Sequence, residues 1–210
     1  MPPRLIAFCK PFGTVCQFSR HSKHPSLADF VKVPDVYPAG RLDTDSEGLL
    51  LLTADGALQH RISHPRRKLQ KAYWVQVEGV PDHLALQMLG DGLDLGDFTT
   101  QPCKASVLAE PASLWPRAPP IRVRRAIPTT WLEIRLTEGK NRQIRRMTAK
   151  AGHPTLRLVR HSIGPFDLDD LQPGHWREVD PARLDDVRLL GDDAGTASRV
   201  RFRPQGDPAR

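Results

Sequence analysis

The sequence predicts an α+β fold, with an extended, mainly antiparallel sheet flanked by helices. Three observations predict it. Stretches in which apolar and polar residues alternate recur along the chain, single stretches with helical spacing separate them, and turns containing Gly or Pro join the two kinds. Strands linked by short turns and interrupted by isolated helices are typical of an α+β protein.

The elements of the N-terminal half are recognised by their boundaries as well as by their apolar spacing. A Pro-Phe-Gly turn ends the first strand, Ser26 is placed to cap the first helix, and Asp55 is placed to begin the second. Four consecutive leucines predict a buried strand. In chain order, we expect a strand over 4–10, a helix over 26–32, a strand opening at Gly48 and a helix over 55–64.

The C-terminal half continues the same succession. Tyr73, Val75 and Val77 share one face of a strand. The Pro- and Arg-rich segment 110–128 is expected to be an ordered surface excursion, and 191–210 is expected to be a disordered tail because it lacks aliphatic periodicity. The remaining expected strands cover 71–79, 130–139 and 155–164. The remaining expected helices cover 81–92, which begins at Pro81 and ends near Gly90, and 141–152.

The formal net charge of +7 is concentrated in one segment. Residues 117–160 contain twelve Lys and Arg but two Asp and Glu, whereas residues 1–116 contain equal numbers of each. A basic block of this kind is typical of a protein that binds nucleic acid, and a solvated basic face without a ligand is the alternative. Charge indicates the class of partner here, but not an activity.

Several classes of protein are disfavoured by what the sequence lacks. No apolar run approaches the ~20 residues of a membrane span, and no secretory signal is visible, so we expect a soluble cytoplasmic protein. The cysteines Cys9, Cys16 and Cys103 are not spaced as a disulfide framework or a zinc site. There is no glycine-rich nucleotide loop and no cluster of metal ligands, so we expect no cofactor and no metal.

The stretch 40–56 (GRLDTDSEGLLLLTADG) places carboxylates at every second position, directly before a buried strand. Turn formation explains most such clusters, because Asp, Ser and Gly favour turns. Asp43 differs from the others because it follows Arg41-Leu42 in strand-like sequence, so it can be held rigidly at a cleft. Asp45 and Glu47 lie among Thr, Ser and Gly, and we expect them in an exposed turn.

The stretch 138–147 (EGKNRQIRRM) places Arg142, Arg145 and Arg146 on one face of a predicted helix, at positions i, i+3 and i+4. Guanidinium groups gathered on one face repel one another unless anions lie between them. Arginine binds phosphate and carboxylate through a planar fork, so phosphate is a candidate ligand. A solvated amphipathic helix is the alternative, and it is less attractive beside three further arginines at 122, 124 and 125.

Five motifs occur in the order found in pseudouridine synthases of the RsuA type, and the chain resembles that family over residues 3–178. The order of the motifs is far more specific than any one of them. They are KPFG at 10–13, GRLDTDSEGLLLLTADG at 40–56, KAYWVQVEG at 71–79, EGKNRQIRRM at 138–147 and PTLRLVRHSIGPF at 154–166.

The resemblance implies a pseudouridine synthase domain over 3–190, without the S4-type RNA-binding domain that many relatives carry upstream. It also implies an activity: the isomerisation of a specific uridine to pseudouridine in ribosomal RNA, expected here to be large-subunit (23S) rRNA. The reaction breaks the N1–C1′ bond and joins C5 to C1′, with no oxidation or hydrolysis. We therefore expect a monomeric enzyme that needs neither cofactor nor metal.

The same resemblance assigns roles to individual residues. Asp43 corresponds to the family's essential aspartate, Tyr73 to the aromatic residue that packs on the target base, and Arg145 to the basic residue that pairs with the aspartate. We expect Arg145 to contact Asp43 and to keep its carboxylate ionised. The expected RNA-binding residues are Arg41, Arg122, Arg124, Arg125, Arg142 and Arg146.

Three alternatives remain open from the sequence. The first is a pseudouridine synthase that acts on another rRNA site or on tRNA. The second is a non-catalytic factor that binds rRNA during ribosome assembly through the basic block alone. The third is a glycoside hydrolase or nucleosidase, which needs a second essential carboxylate such as Asp45 or Glu47.

Overall fold

The computed structural model describes residues 3–64, 67, 69–121, 124 and 126–185. Within these residues the chain forms one nine-stranded sheet with three α-helices packed on it, so the predicted α+β class is confirmed. Neighbouring strands are antiparallel except for one parallel pair, as the expected mainly antiparallel sheet requires. The expected tail over 191–210 lies outside the described residues.

Seven strands follow one another across the sheet in the order β5-β6-β4-β7-β3-β1-β9, while β2 pairs with β3 and β8 pairs with β7. The strands are β1 (Leu5–Lys10), β2 (Tyr37–Pro38), β3 (Glu47–Thr53), β4 (Lys71–Glu78), β5 (Lys104–Leu108), β6 (Thr129–Leu136), β7 (Thr155–Ile163), β8 (Phe166–Asp167) and β9 (Trp176–Val179). The helices are α1 (Gly56–Ser63), α2 (His83–Asp91) and α3 (Gln143–Lys150).

The expected strands and helices are present, with one shortened helix and four unforeseen strands. The helix predicted over 26–32 is a 3₁₀ turn over Leu27–Asp29 that ends at Phe30, because the residue before Pro34 disfavours helical backbone. Strands β2, β5, β8 and β9 were not expected. β2 and β8 have two residues each, and β5 and β9 lie at the sheet edges, where few side chains are buried and alternation is weak.

The four-leucine run is buried because both faces of β3 are covered. Leu49 and Leu51 pack with Leu58 and Ile62 of α1 in one cluster. Leu50 and Leu52 point to the opposite face and pack with β1 and the segment around Leu27. A strand buried on both faces has no polar side to alternate with, which explains a continuous apolar run.

The half of the sheet that contains β4 and β6 has its own core. Tyr73, Val75 and Val77 of β4 share the predicted face and pack with residues of α2 and α3, including Leu89 and Met147.

In the described part of the chain, no helix has the length and apolar character needed to cross a membrane.

The two halves of the sheet meet where β3 pairs with β7, and this junction is the parallel pair. The backbone approach there is close. A Cβ atom added at Gly48 would lie 2.3 Å from the carbonyl oxygen of Arg160. The loop that carries Asp43 enters β3 at this junction, and β4, which carries Tyr73, is the other neighbour of β7. The topology therefore places the predicted site where the halves join.

Candidate active site

Asp43 lies in the loop between β2 and β3, at the wall of a cavity of about 460 Å³. The backbone N–H of Ser46 donates to the Asp43 carbonyl at 3.0 Å and closes a turn. The neighbouring Leu42 is buried and anchors the loop, while the Asp43 side chain remains 36% exposed. The carboxylate is thus held in place and is accessible from the cavity.

Buried cations from three different elements hold the carbonyl groups of this loop. Arg145 of α3 donates to the Asp45 carbonyl at 2.7 Å, and Arg160 of β7 donates to the Arg41 carbonyl at 3.3 Å. Lys10, at the end of β1, donates to the Thr44 carbonyl at 3.5 Å. These hydrogen bonds fix the loop on either side of Asp43, so its conformation depends on tertiary contacts.

Lys10 is fully buried, and desolvation lowers its pKa to about 8. Its ammonium donates to the carbonyls of Thr14 at 2.7 Å and Pro11 at 3.0 Å. Nearby negative groups, including Glu47, Asp45 and Asp43, oppose the loss of its proton. The lysine of the KPFG motif therefore joins the turn after β1 to the Asp43 loop.

The lining of the cavity also contains Tyr73, which is 8% exposed on β4, together with Lys71. Burial and the neighbouring Arg160 lower the pKa of Lys71 to about 8, and its ammonium donates to the Leu69 carbonyl at 3.0 Å. An aromatic ring and cationic groups thus face the cavity that Asp43 borders. The sequence reading missed Lys71, although it belongs to the motif that contains Tyr73.

Asp43 is the sole Asp or Glu among the described residues that line this cavity. Asp45 turns away and accepts a bidentate pair of hydrogen bonds from Arg142 at 2.9 and 3.0 Å. Burial opposes ionisation of Asp45, but Arg142 and Arg145 outweigh it and hold the pKa of Asp45 below its ordinary value. A hydrolase with two carboxylates around one bond does not fit this arrangement.

The expected placement of Glu47 in an exposed turn is wrong. Glu47 is the first residue of β3 and is 2% exposed. Its carboxylate accepts hydrogen bonds from Arg157 at 2.8 and 3.0 Å and from the indole N–H of Trp115 at 2.8 Å. The missed signal was Arg157, because an arginine within a buried strand needs a carboxylate partner.

Arg142, Arg145 and Arg146 all bind carboxylates of the protein, and Arg142 and Arg145 share Asp45. Arg145 was expected to contact Asp43, but its ion pair is with Asp45, whose Oδ2 lies 3.4 Å from Arg145 Nε. Arg142 lies 3.7 Å from the Asp43 carboxylate and precedes α3 with a positive φ of 48°. Arg146 points elsewhere and binds Asp97. The anions between these guanidinium groups are therefore carboxylates of the protein itself.

The remaining expected RNA-binding residues differ in their surroundings. Arg41 is exposed and lines the cavity beside Asp43. Arg124 is exposed and forms an ion pair with Glu78 at 2.9 Å. Arg122 and Arg125 lie outside the described residues. Among the described residues, no group of three His, Cys, Asp or Glu side chains is placed to hold a metal ion.

Comparison with known proteins gives consistent results. Residues 4–150 match the family described as RNA pseudouridylate synthase. The chain is 56% identical over 181 residues to ribosomal large subunit pseudouridine synthase E of Xanthomonas campestris pv. campestris, covering 85% of this chain and 96% of the relative. It is 52% identical over 176 residues to the enzyme of the same name from Vibrio vulnificus, covering 84% and 75%.

A solved structure described as a pseudouridylate synthase superposes with a TM-score of 0.72 at 26% identity, covering 88% of this chain and 74% of that one. The Nop10–Cbf5 complex of an archaeal box H/ACA particle shares the fold at 15% identity and a TM-score of 0.52, covering 90% and 55%. The match over 4–150 and the identity over most of the chain confirm the resemblance drawn from the five motifs. The chain belongs to the RNA pseudouridylate synthase family.

Proposed function

We propose that this protein isomerises a specific uridine to pseudouridine in large-subunit (23S) ribosomal RNA, with Asp43 as its essential carboxylate. The observation that carries the proposal is that this single carboxylate and the Tyr73 ring line the same cavity. Relatives that are 52% and 56% identical are named for activity on the large ribosomal subunit. The cavity, about 460 Å³, is within the range of sites that hold a small molecule or a nucleotide.

The chemistry requires one negatively charged group at the sugar and a way to hold the detached base. The N1–C1′ bond breaks, the uracil turns, C5 bonds to C1′, C5 loses a proton and N1 gains one, so atoms and electrons balance without an oxidant or a water molecule. Two roles at the sugar are open to Asp43: a nucleophile at C1′ or a base that removes the C2′ proton. Deuterium at C2′ distinguishes them, because it slows bond cleavage only if that proton is removed.

Tyr73 and the surrounding cations have complementary roles. The Tyr73 ring can stack on the uracil while it turns, leaving the polar edges of the base free. Arg142 lies 3.7 Å from the Asp43 carboxylate and forms an ion pair with it. Arg145 acts as a positioning residue, because its hydrogen bond is to the loop carbonyl of Asp45. This role differs from the direct contact with Asp43 that we had expected.

To enter the active site, the target uridine must leave the base stack of the RNA, which costs a few kcal/mol. Contacts to phosphates from exposed arginines offset this cost. Arg41 and Arg142 border the cavity and are the candidates nearest to the reacting base. Arg124 extends the candidate surface, whereas Arg146 is held by Asp97 and is a weaker candidate. Arg122 and Arg125 remain candidates from the sequence. We further propose that the enzyme works as a cytoplasmic monomer.

Pseudouridine mapping in rRNA from cells with and without this chain tests the substrate. We expect one 23S position to lose its modification in the deletion strain. Purified protein should restore it on deletion-strain RNA in buffer containing a chelator. Loss of a tRNA or small-subunit modification instead would contradict the proposed substrate. RNA binding with no isomerisation would support a non-catalytic assembly factor.

Asp43→Asn tests the proposed carboxylate, and Asp45→Asn is its matched control. The two side chains are in the same loop, are 36% and 37% exposed and both lie near Arg142, but Asp43 alone lines the cavity. In a single-turnover assay, Asp43→Asn should reduce isomerisation below detection while circular dichroism stays native. Asp45→Asn should stay within about tenfold of wild type, roughly 1.4 kcal/mol of barrier. Equal loss in both variants would contradict the assignment.

A further inference from the structure

A second cavity, of about 490 Å³, lies on the other side of the Asp43 loop. It shares Arg41, Leu42, Asp43 and Arg142 with the first cavity, so the loop is a partition between the two. We propose that the second cavity binds a nucleobase next to the target uridine in the RNA chain. This inference rests on the proposed function and adds a subsite that reads sequence context.

The lining of the second cavity fits a nucleobase. His21 and His24 come from the segment after β1, and their ring centroids lie 5.3 Å apart with the rings tilted by 31°. Histidine and aromatic rings stack on unstacked RNA bases. The Lys23 backbone N–H donates to His21 Nδ1 at 3.2 Å, which leaves His21 Nε2 for the edge of a base. Phe12 adds an aromatic ring, which the Arg117 guanidinium covers at 4.4 Å from its centroid.

The partition contains two arginines, Arg41 and Arg142, that the phosphate of a strand crossing it could contact, beside the carboxylates of Asp43 and Asp45. Two adjacent nucleotides are joined by one phosphate, and that phosphate would lie over the residues shared by both cavities. Arg41 is exposed there, and the Arg142 side chain is 45% exposed, with donors left beyond the two given to Asp45. The same partition contains Asp43, so a base in the second cavity would help to set the position of the sugar that reacts.

Two histidines and Cys16 in one cavity could also suggest a metal ion as the ligand. Within the described part of the chain, no three metal-ligating side chains are grouped closely enough for that. The combination of imidazole rings, an aromatic ring and shared arginines instead matches the stacking and phosphate contacts used for single-stranded RNA.

The test uses synthetic 23S rRNA fragments that contain the mapped uridine, intact or with an abasic residue at its 5′ or 3′ neighbour. The dissociation constants and single-turnover rates of wild type are compared with those of a His21→Ala/His24→Ala double variant. A His83→Ala/His175→Ala double variant is the matched control, because both histidines are exposed and neither lines either cavity.

On intact RNA, the His21→Ala/His24→Ala variant should bind about tenfold more weakly, which is typical of losing one stacked base. One of the two abasic fragments should bind wild type equally weakly, and the variant should then show no further loss. An equal loss on intact RNA and on both abasic fragments would overturn the subsite. Failure of wild type to isomerise the intact fragment would instead count against the proposed function, since binding is measured separately.

Discussion

At the scale of single residues, the alternating carboxylates before β3 have three different environments. Asp43 borders the cavity, Asp45 binds Arg142 and Arg145, and Glu47 is buried against Arg157 and Trp115. One sequence pattern thus contains a candidate catalyst and two structural anions. The difference arises because strand β3 begins at Glu47, so that side chain enters the core while the two before it remain in the loop.

Glu47→Gln should lower the free energy of unfolding by about 3 kcal/mol, because it leaves the buried Arg157 guanidinium without a charged partner. Its isomerisation rate per folded molecule should stay within about tenfold of wild type. Urea denaturation and the single-turnover assay measure the two quantities. Glu133→Gln is the control: Glu133 pairs with Arg135 near the surface, and its loss should cost about 1 kcal/mol or less. A folded but inactive Glu47→Gln variant would reopen the two-carboxylate mechanism.

At the scale of elements, the junction of β3 with β7 decides where the Asp43 loop sits. Gly48 has a φ of 100°, and it faces the Arg160 backbone so closely that no side chain fits between the strands. Arg160 in turn donates to the carbonyls of Leu49 and Arg41, at the two ends of the loop. Gly48, which the sequence predicts only as the start of a strand, therefore permits the contact that joins the halves of the sheet.

Gly48→Ala should be severely destabilising, because its Cβ would lie 2.3 Å from one backbone atom of Arg160 and 2.9 Å from another. The loop carbonyls would lose their partners as the strands separate, so residual activity should fall along with stability. Gly56→Ala is the control, since a Cβ at this position at the start of α1 meets no atom within 4 Å. Thermal unfolding and the single-turnover assay should show a large loss in Gly48→Ala alone. Native stability in that variant would show that the junction can widen without cost.

At the scale of the whole molecule, much of the basic block is not a free surface. Arg157 and Arg160 are buried, and Arg135, Arg142 and Arg146 form ion pairs with carboxylates of the protein. The twelve basic residues of 117–160 therefore overstate the charge available to phosphate. The candidate RNA surface is smaller, and it is centred on the rim of the two cavities and on the segment around Arg124.

Replacing Arg122, Arg124 and Arg125 together by Ala should weaken RNA binding and reduce the slope of log K against log salt concentration. Each phosphate contact contributes about 0.7–0.9 to that slope, so a reduction of about two is expected if these residues bind phosphate. Filter binding to 23S rRNA fragments between low and moderate salt measures it. The control is Arg4, Arg177 and Arg183 replaced together, all outside the block. An unchanged slope in the first variant would mean that its arginines form a solvated face only.

The free energy of unfolding should rise by about 1 kcal/mol per lysine between about pH 8 and pH 9. The pKa values of Lys10 and Lys71 are lowered from 10.5 to about 8, so the folded protein loses protons there that the unfolded chain retains. The cost of burying their charges is therefore present below pH 8 and shrinks as pH increases. The raised thiol pKa values, about 12 for Cys9 and 11 for Cys103, act in the opposite direction as the pH approaches and passes the ordinary thiol pKa of 9.0.

Urea denaturation at both pH values measures this rise. Lys71→Met should reduce the rise by about 1 kcal/mol, while Lys150→Met, on the exposed end of α3, should retain it. A flat profile in wild type would contradict the burial of these two charges.

The sequence by itself determined the fold class, the main strands and the helices α1, α2 and α3, because these follow from local spacing. It also determined the family, which follows from the order of the motifs. It also singled out Asp43, which the tertiary structure places in the lining of the cavity that Tyr73 also lines. Only the tertiary structure decided the partners of charged residues. Glu47 with Arg157, Arg145 with the Asp45 carbonyl and Arg160 with the Arg41 carbonyl each join positions about a hundred residues or more apart. Such contacts depend on strand order and burial, which local pattern does not encode.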